Sequence, residues 1–326
     1  MVAVRKHKVP SLLETFIGCL LGAAIGDALG MPNEDLTLQE RNLYYGGEIR
    51  DFRDPHDNTP CRSLRAGQHT DDTQLILVVA ESLVKSNGFN PEHLSRKLID
   101  WLDMKDDGRY RGEATKQGIK NLKKGVPWHD AGVDKAGCGS ATRAIPFGLY
   151  YHSSINEAVN YARLASCMTH NNDLAKDGAA CIATIIASLI NREVPTIVDL
   201  KNKVETLEFK NKLDDVERCL GKSYGVPRAI EILGNSSIAH ETVALALFIF
   251  LCETSHFEAA VLAGANAVGK SKKGDTDSIA CLVGAMSGTY NGIGALPTKW
   301  AERVESNERL REVGLQLFEA ASHGNT

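Results

Sequence analysis

The chain has 326 residues, of which 43% are hydrophobic and 24% are charged, and its formal net charge is −4. This composition is that of an ordinary globular protein with enough apolar residues for a sizeable core. The slightly negative charge gives no basic surface of the kind that binds duplex nucleic acid, so we expect no nucleic-acid partner.

The N-terminal region superficially resembles a signal peptide, because RKHK precedes the apolar run FIGCLLGAAIGDALG. Asp27 interrupts this run. Other apolar stretches, such as residues 243–252, are shorter than the ~18 residues that a membrane span requires. We therefore expect buried helices and no membrane partner.

Apolar residues have helical spacing along almost the whole chain, and the alternating pattern of strands is nearly absent. The sequence predicts an all-α fold, a compact orthogonal multi-helix bundle formed by a single domain over residues 1–326. The polar stretch 199–224 is the alternative place for a domain boundary. The predicted helices cover residues 11–30, 73–87, 91–104, 112–123, 139–151, 155–168, 173–191, 195–206, 224–234, 239–253, 256–269, 277–292 and 306–322.

Two of the predicted helices carry glycine at every fourth position. An interior glycine destabilises a helix by roughly 0.5–1 kcal/mol relative to alanine, but a glycine stripe lets another helix approach closely. We expect the two helices to pack together in the middle of the domain and to hold nearby acidic residues at one site. The glycines are Gly18, Gly22, Gly26 and Gly30 in the first helix, and Gly284, Gly288 and Gly292 in the second.

Acidic and hydroxyl side chains gather in front of two apolar helices, in the segments HTDDT and GDTDS. One such side chain can cap a helix, which is worth roughly 1 kcal/mol. Capping explains either cluster taken alone, but two clusters of similar composition favour a shared site. The residues are Thr70, Asp71 and Asp72 in the first segment, and Asp275, Thr276, Asp277 and Ser278 in the second.

A shared site would bring these acids together with Asp27 and Glu34, and like charges in a partly buried site repel by several kcal/mol. Divalent cations would offset this repulsion. The donors are all oxygen atoms, which suits Mg²⁺, Mn²⁺ or Ca²⁺ rather than zinc. The number of carboxylates favours two metal ions, so we expect a central di-metal site.

The eight cysteines are scattered, and no two form a CxxC pair. Buried thiols of this kind behave as small hydrophobic groups. Without metal-ligand spacing or a compact disulfide framework, the pattern favours reduced thiols and a cytoplasmic location.

Five blocks in a fixed order carry a family resemblance: GCLLGAAIGDALGMPNE, HTDDTQL, GCGSATRAIPFGL, SCMTHNND and KGDTDSIACLVGAMSGTYNG. Over residues 16–300, approximately, the chain resembles the ADP-ribosylglycohydrolase family, which includes the dinitrogen-reductase-activating glycohydrolases. The resemblance implies an all-α fold around two Mg²⁺ (or Mn²⁺) ions. It also implies hydrolysis of the bond that joins ADP-ribose to an ADP-ribosylated protein or a small ADP-ribose conjugate.

The resemblance also implies roles for individual residues. Glu34 matches an acidic residue that is implicated in catalysis or metal binding. From the chemistry of glycoside hydrolysis, we expect Asp72 or Asp275 as the general base and Glu34 as a positioning or acid residue. The metal ligands would be Thr70, Asp71 and Asp72 at one ion and Asp275 and Ser278 at the other, with Asp277 bridging the two. The substrate contacts would be Gly137, Gly139, Ser140 and His170.

Three positions depart from the family pattern. Cys138 stands where asparagine is common, and Ser278 stands where threonine is more usual. Lys270, Lys272 and Lys273 lie in a local insertion, where they would either contact phosphates or be solvated.

The chemistry leaves alternatives open. The many acids favour a cationic acceptor, so we expect an arginine-linked N-glycosidic substrate before an O-glycosidic one. The WHD segment at residues 128–130 would suit an HD-like metal phosphohydrolase. A third possibility is a family member that binds ADP-ribose, or serves a structural purpose, without turnover.

Overall fold

The computed structural model describes residues 9–105, 109–270 and 273–323, the side chain of residue 323 excepted. Within these ranges the chain forms α-helices, two 3₁₀ turns at Met31–Asn33 and Ile293–Ala295, and isolated backbone bridges, but no β-strand. The predicted all-α fold is confirmed. The α-helices are α1 (Leu12–Gly30), α2 (Leu38–Tyr45), α3 (Asp71–Ser86), α4 (Pro91–Asp103), α5 (Glu113–Lys123), α6 (Gly139–Thr142), α7 (Ile145–Tyr150), α8 (Ile155–Ser166), α9 (Asp173–Ile190), α10 (Ile197–Lys201), α11 (Leu207–Gly221), α12 (Val226–Leu233), α13 (Ala239–Cys252), α14 (Phe257–Ala265), α15 (Thr276–Asn291), α16 (Thr298–Ala301) and α17 (Asn307–His323).

Helices α1 and α15 form the most extensive helix pair among the described residues. They run antiparallel, so that Gly18 lies against Gly288 and Gly22 lies against Gly284. A Cβ atom at Gly18 would come 2.6 Å from the carbonyl oxygen of Gly288, which is closer than real Cβ contacts. The predicted packing of the two glycine stripes is confirmed for these pairs.

The same stripe brings the end of α1 to the start of α15. Gly26 lies against Ala280, and Gly30 lies against Thr276. Thr276 Oγ1 also donates a 2.9 Å hydrogen bond to the carbonyl oxygen of Gly30. Glu34 follows Gly30 closely, and Asp275 and Asp277 flank Thr276. The packing of α1 on α15 therefore fixes where these acids meet.

The prediction that Gly292 belongs to the second helix is wrong, although its backbone does lie against α1. This residue follows the last residue of α15 with a φ of +71°, and a Cβ atom at Gly18 would come 2.8 Å from its carbonyl carbon. Glycine adopts positive φ readily, so Gly292 ends the helix.

The predicted helix over residues 139–151 is divided into α6 and α7. Pro146 is the second residue of α7 and has no backbone N–H to donate to the preceding turn. The predicted helix over residues 195–206 is shortened to α10, while α2 and α16 lie where the sequence predicts no helix.

The polar stretch 199–224 contains α11. Phe209, Leu213 and Val216 follow one another at helical spacing and are fully buried. This face packs on α13, so the helix is a surface helix with one apolar face. The single-domain organisation of the chain stays a prediction.

The segment Leu12–Asn33 is long and apolar enough to cross a membrane by length and composition. In the structure 78% of its apolar window is buried. The buried surface lies mainly against α15, α17 and α14. The segment is therefore packed as a core helix, as the sequence predicts.

All eight cysteines of the chain lie within the described residues and are unpaired. Six of them are buried, whereas Cys167 is partly buried and Cys252 is exposed. Burial of unpaired thiols agrees with their predicted role as small hydrophobic groups.

Candidate metal and ligand site

Asp27, in the last turn of α1, holds the start of α3. Its carboxylate accepts hydrogen bonds from the N–H of Thr70 at 2.9 Å, the N–H of Thr73 at 3.1 Å and Thr73 Oγ1 at 2.6 Å. Asp27 is fully buried. Both of its oxygens are thus used inside the protein, and it positions the HTDDT segment without lining the cavity described below.

Helix capping accounts for only part of the two polar clusters. Thr70 precedes α3, and its Oγ1 accepts a 3.4 Å hydrogen bond from the N–H of Asp72. Asp275 precedes α15 but makes no side-chain cap bond. Asp71 accepts a 3.2 Å hydrogen bond from the N–H of Gly112, which lies outside α3. The carboxylates therefore need an explanation other than capping.

Asp72 joins the two clusters. Thr142 Oγ1 donates to Asp72 Oδ1 at 2.7 Å, and Ser278 Oγ donates to Asp72 Oδ2 at 2.7 Å. These two hydroxyls lie on α6 and α15, so three helices meet at one carboxylate. The hydrogen bonds fix the direction in which Asp72 presents its oxygens.

Glu34, Asp275 and Asp277 form the tightest acidic group. Their nearest oxygens all lie within 4.8 Å of one another, and each side chain is buried. Cys138 Sγ donates to Asp275 Oδ2 at 2.9 Å. Thr242 Oγ1 lies 3.3 Å from the same oxygen, but its shorter hydrogen bond goes to the carbonyl oxygen of Ser236 at 2.7 Å. The group is therefore held by donors from several elements.

Two hydrogen bonds donated by backbone N–H groups hold Glu34 in this group. The N–H of Thr276 donates to Glu34 Oε2 at 3.0 Å, and the N–H of Asp35 donates to the carbonyl oxygen of Gly274 at 3.0 Å. These bonds tie the segment after α1 to the segment before α15.

The electrostatics of the cluster are unfavourable for ionised carboxylates. Burial and the charge of Asp277 raise the pKa of Asp72 to about 7, and burial and the charge of Asp275 raise the pKa of Asp277 to about 7. Burial and the charge of Asp277 raise the pKa of Glu34 well above its usual range. Burial and the charge of Asp72 do the same for Asp71. Each shift reflects the cost of gathering like charges away from water.

Ion pairs do not compensate these acids in the part of the chain that the structure describes. Within residues 9–105, 109–270 and 273–323, Glu34, Asp71, Asp72, Asp275 and Asp277 make no ion pair with a basic side chain. The buried Arg143 guanidinium interacts electrostatically with Asp72 without forming an ion pair. Their donor atoms are carboxylate and hydroxyl oxygens, the ligands that Mg²⁺ and Mn²⁺ prefer. The residues therefore fit a divalent-cation site of the kind the sequence predicts.

A cavity of about 970 Å³ opens above these carboxylates. This volume is at the upper end of the range for small-molecule sites. Among the predicted metal ligands, Thr70 is fully buried beside the cavity without lining it. The predicted residues that line the cavity are Glu34, Asp71, Asp72, Gly137, Gly139, His170, Asp275, Asp277 and Ser278.

The glycine-rich loop and His170 form one wall. A Cβ atom at Gly137 would come 3.0 Å from His170 Nε2, and one at Gly139 would come 3.5 Å from His170 Cε1. The loop has no side chains at Gly137 and Gly139, and its backbone thus lies directly over the imidazole ring. Burial and the charge of Arg143 lower the pKa of His170 to about 3, so the ring is neutral.

Ser140 does not share this wall. Its Oγ donates a 2.9 Å hydrogen bond to the carbonyl oxygen of Ala175 in α9, and it is absent from the cavity lining. The geometry gives its side chain a packing role between α6 and α9. The predicted substrate contact of this hydroxyl has no support in the structure.

The insertion before α15 reaches the rim of the cavity. Lys273 lines the cavity and pairs with Asp35 at 3.0 Å, whereas Lys270 pairs with Glu231 at 3.4 Å. Both lysines are exposed. Lys272 lies outside the described residues.

The WHD segment lies apart from the acidic cluster. His129 and Asp130 are exposed, their side chains lie 3.3 Å apart, and neither lines the cavity. The HD-like phosphohydrolase interpretation therefore has no support in the structure.

Several residues of the site are not identified by the sequence analysis. Thr142 lies within the GCGSATR block, three residues after Gly139, and this position is its only sequence signal. Tyr110 lines the cavity with 51% of its surface exposed and a φ of +55°, and no motif marks it. Thr242 of α13 lies 3.3 Å from Asp275 Oδ2, and no motif marks this position.

Comparisons with known proteins agree with the fold and the site. The family model for ADP-ribosylglycohydrolase matches residues 8–325. An uncharacterized protein of Archaeoglobus fulgidus is 35% identical over 317 residues, which cover 94% of this chain and 96% of that protein. An ADP-ribosylarginine hydrolase of Pseudomonas putida is 25% identical over 323 residues, which cover 93% of this chain and 78% of that protein.

A solved structure described as an ADP-ribosylglycohydrolase-related protein complex is similar to the whole chain. Its TM-score is 0.71 at 24% sequence identity, and the match covers 95% of this chain and 99% of the other. This likeness supports the fold, while the family match covers the segments that hold the carboxylates. The chain belongs to the ADP-ribosylglycohydrolase family, and this membership supports a hydrolase that removes ADP-ribose.

Proposed function

We propose that the protein uses two Mg²⁺ or Mn²⁺ ions to hydrolyse the N-glycosidic bond between ADP-ribose and an arginine side chain of a modified protein or small conjugate. The observation that carries the proposal is the convergence of α3, α15 and Glu34 at the floor of one cavity, where no ion pair to a described lysine or arginine neutralises the carboxylates. One relative is named an ADP-ribosylarginine hydrolase, which favours arginine as the acceptor.

The carboxylates and hydroxyls that flank the cavity floor would hold the cations. Thr70, Asp71 and Asp72 would hold one ion, Asp275 and Ser278 would hold the other, and Asp277 would be a further ligand. When bound, the cations would supply Lewis acidity and offset the charge of the acids and of a diphosphate. A binuclear arrangement matches the number of carboxylates present.

The protein's own groups would then carry the proton transfers. A glycosidic bond breaks through an oxocarbenium-like transition state, which requires a base for the attacking water and an acid for the leaving group. Asp72 has its orientation fixed by two hydroxyls, which suits a general base. Asp275, which accepts a hydrogen bond from Cys138 Sγ, is the second candidate for this base.

We propose that Glu34 assists the leaving group. Burial and the charge of Asp277 raise the pKa of its carboxyl well above the usual range, which favours the protonated form, and one of its oxygens accepts the N–H of Thr276. A guanidine leaves as a strong base that needs a proton. We assign Glu34 to the supply or positioning of this proton.

The remaining cavity wall would receive the rest of ADP-ribose. The backbone of Gly137 and Gly139 and the ring of His170 lie together beside the carboxylates. Glycine leaves the backbone accessible to a ligand. We propose that this wall contacts the diphosphate or the distal ribose.

The experiment is an incubation with an ADP-ribosylated guanidine, and separately with a peptide carrying O-linked ADP-ribose on serine, each with Mg²⁺. Chromatography should detect free ADP-ribose from the guanidine conjugate. Asp71→Asn and Asp275→Asn should abolish the release, whereas Asp214→Asn, an exposed acid of α11 outside the cavity, should not.

The products in the chromatogram, together with a thermal-shift measurement, separate the alternatives. Inorganic phosphate or AMP as a product would support a phosphohydrolase instead. Thermal stabilisation by ADP-ribose without any product would support a binding protein. Release from the serine peptide alone would overturn the arginine assignment.

A further inference from the structure

We infer that Arg143 and Thr169 form a relay that fixes His170 as a hydrogen-bond donor toward the bound ligand. Arg143 Nη2 donates to Thr169 Oγ1, and Thr169 Oγ1 lies 2.8 Å from His170 Nδ1. All three side chains are buried. The inference rests on the proposed function for the identity of the ligand, but the relay itself is a property of the unliganded protein.

The direction of each hydrogen bond follows from the chemistry of the three groups. A guanidinium has donors only, so the threonine oxygen must be the acceptor from Arg143. Thr169 then has one O–H left to donate. His170 Nδ1 is the only other polar atom within hydrogen-bond distance of this hydroxyl among the described residues.

The alternative tautomer leaves a buried donor without an acceptor. If His170 carried its proton on Nδ1, that N–H would donate to Thr169, and the hydroxyl proton of Thr169 would have no acceptor. Buried donors that lack partners are destabilising. The arrangement therefore favours a proton on Nε2, with Nδ1 as the acceptor.

The protonated nitrogen faces the ligand cavity. His170 lines the cavity, and its Nε2 makes no hydrogen bond to any residue that the structure describes. The same nitrogen lies beneath Gly137, whose missing side chain leaves room above the ring. An oxygen atom of the ligand, such as a phosphate or ribose oxygen, would accept a hydrogen bond from His170 Nε2.

The neutral ring agrees with this role. Burial and the nearby guanidinium lower the pKa of His170 to about 3. A neutral imidazole has one donor and one acceptor nitrogen, so its tautomer decides which group it can bind. Arg143 and Thr169 are thus positioning residues that act through His170.

The first test reads the tautomer directly in the unliganded protein. Long-range ¹H–¹⁵N correlation spectra of the labelled protein distinguish protonated from unprotonated ring nitrogens, and His170→Gln identifies the signals of this residue. We expect protonated Nε2 and unprotonated Nδ1. A proton on Nδ1 in the wild-type protein would overturn the relay, and this measurement needs no variant that alters the relay.

The second test removes the hydroxyl group of Thr169. Thr169→Val should give a mixture of tautomers and about tenfold weaker calorimetric binding of ADP-ribose, the loss expected for one misdirected hydrogen bond. Thr169→Ser keeps the hydroxyl and should restore both readouts. Thr184→Val is the matched control, because it removes a buried threonine hydroxyl of α9 that donates to Ala180 and lies outside the cavity.

An unchanged spectrum or unchanged affinity in Thr169→Val would contradict the inference. Failure of the wild-type protein to bind ADP-ribose would count against the proposed function. The tautomer measurement decides the relay independently of that result.

Discussion

Ser278 Oγ of α15 donates a 2.7 Å hydrogen bond to Asp72 Oδ2 of α3, although the two residues lie 206 positions apart in the chain. This bond joins the HTDDT and GDTDS segments directly. It also fixes one oxygen of a carboxylate whose other oxygen accepts from Thr142. The two acidic clusters thus belong to one site.

The first prediction concerns the hydroxyl group of Ser278. Ser278→Ala should lower kcat by about 10- to 100-fold, because it removes both a proposed metal ligand and the hydrogen bond that orients Asp72, and loss of such an orienting bond alone has effects of this size. Ser278→Thr retains the hydroxyl and should keep activity within about threefold of the wild type. Steady-state release of ADP-ribose measures both variants. Equal activity of the alanine variant and the wild type would show that the bond is dispensable.

The second prediction concerns the close approach of α1 and α15. Gly26→Ala should lower the free energy of unfolding by about 3 kcal/mol, because the added Cβ would overlap the Ala280 carbonyl group. Gly221→Ala at the end of α11 is the control, since a Cβ atom there meets nothing within 4 Å. This control should be neutral or slightly stabilising. Urea denaturation measures both, and equal stability of the two variants would contradict the close packing.

The third prediction concerns pH. The pKa values of Asp72 and Asp277 are raised to about 7 by burial and by neighbouring carboxylates. A carboxyl whose pKa is raised in the folded state favours folding below its unfolded pKa of about 4 and loses this contribution as pH rises through about 7. The metal-free protein should therefore become less stable over this interval.

Divalent cations should reverse this loss, because they bind the ionised carboxylates. The difference in Tm between Mg²⁺ and EDTA solutions should be small near about pH 5 and larger near about pH 8. Asp277→Asn should stabilise the metal-free protein at the higher pH and shrink the difference. A difference in Tm that does not change with pH would contradict the electrostatic interpretation.

The fourth prediction concerns Tyr110 at the mouth of the cavity. This exposed aromatic residue lies at the rim with a left-handed backbone conformation. Its ring can stack on a base, and such contacts are worth about 1–3 kcal/mol. Tyr110→Ala should weaken ADP-ribose binding by about tenfold or more, whereas Tyr110→Phe should bind like the wild type. Calorimetry distinguishes the two, and no loss in the alanine variant would exclude the contact.

The sequence predicts the all-α fold and the meeting of the acidic segments because both depend on patterns that are visible along the chain. The glycine stripe of α1 requires a close helix partner, and Gly284 and Gly288 supply the matching surface. The surplus of carboxylates at Asp71 and Asp277 exceeds what capping needs. Interior glycines and gathered carboxylates are both destabilising by themselves. A close helix partner offsets the first cost, and a shared cation site offsets the second.

Side-chain directions are less predictable. Ser140 lies in the expected loop, but its hydroxyl bonds to Ala175 because α6 packs on α9. Gly292 fits the four-residue spacing, yet it ends α15. Thr169 and Arg143 lie in two of the quoted blocks, but the sequence does not show that their side chains meet beside His170. Such details depend on tertiary contacts, which a single sequence does not reveal.

The most direct test of the metal site is anomalous X-ray diffraction from crystals grown with Mn²⁺. The account predicts two manganese peaks between the carboxylates of Asp71, Asp72, Asp275 and Asp277. A single peak would contradict the binuclear assignment. No peak, or peaks away from these carboxylates, would contradict the claim that α3 and α15 converge to bind divalent cations.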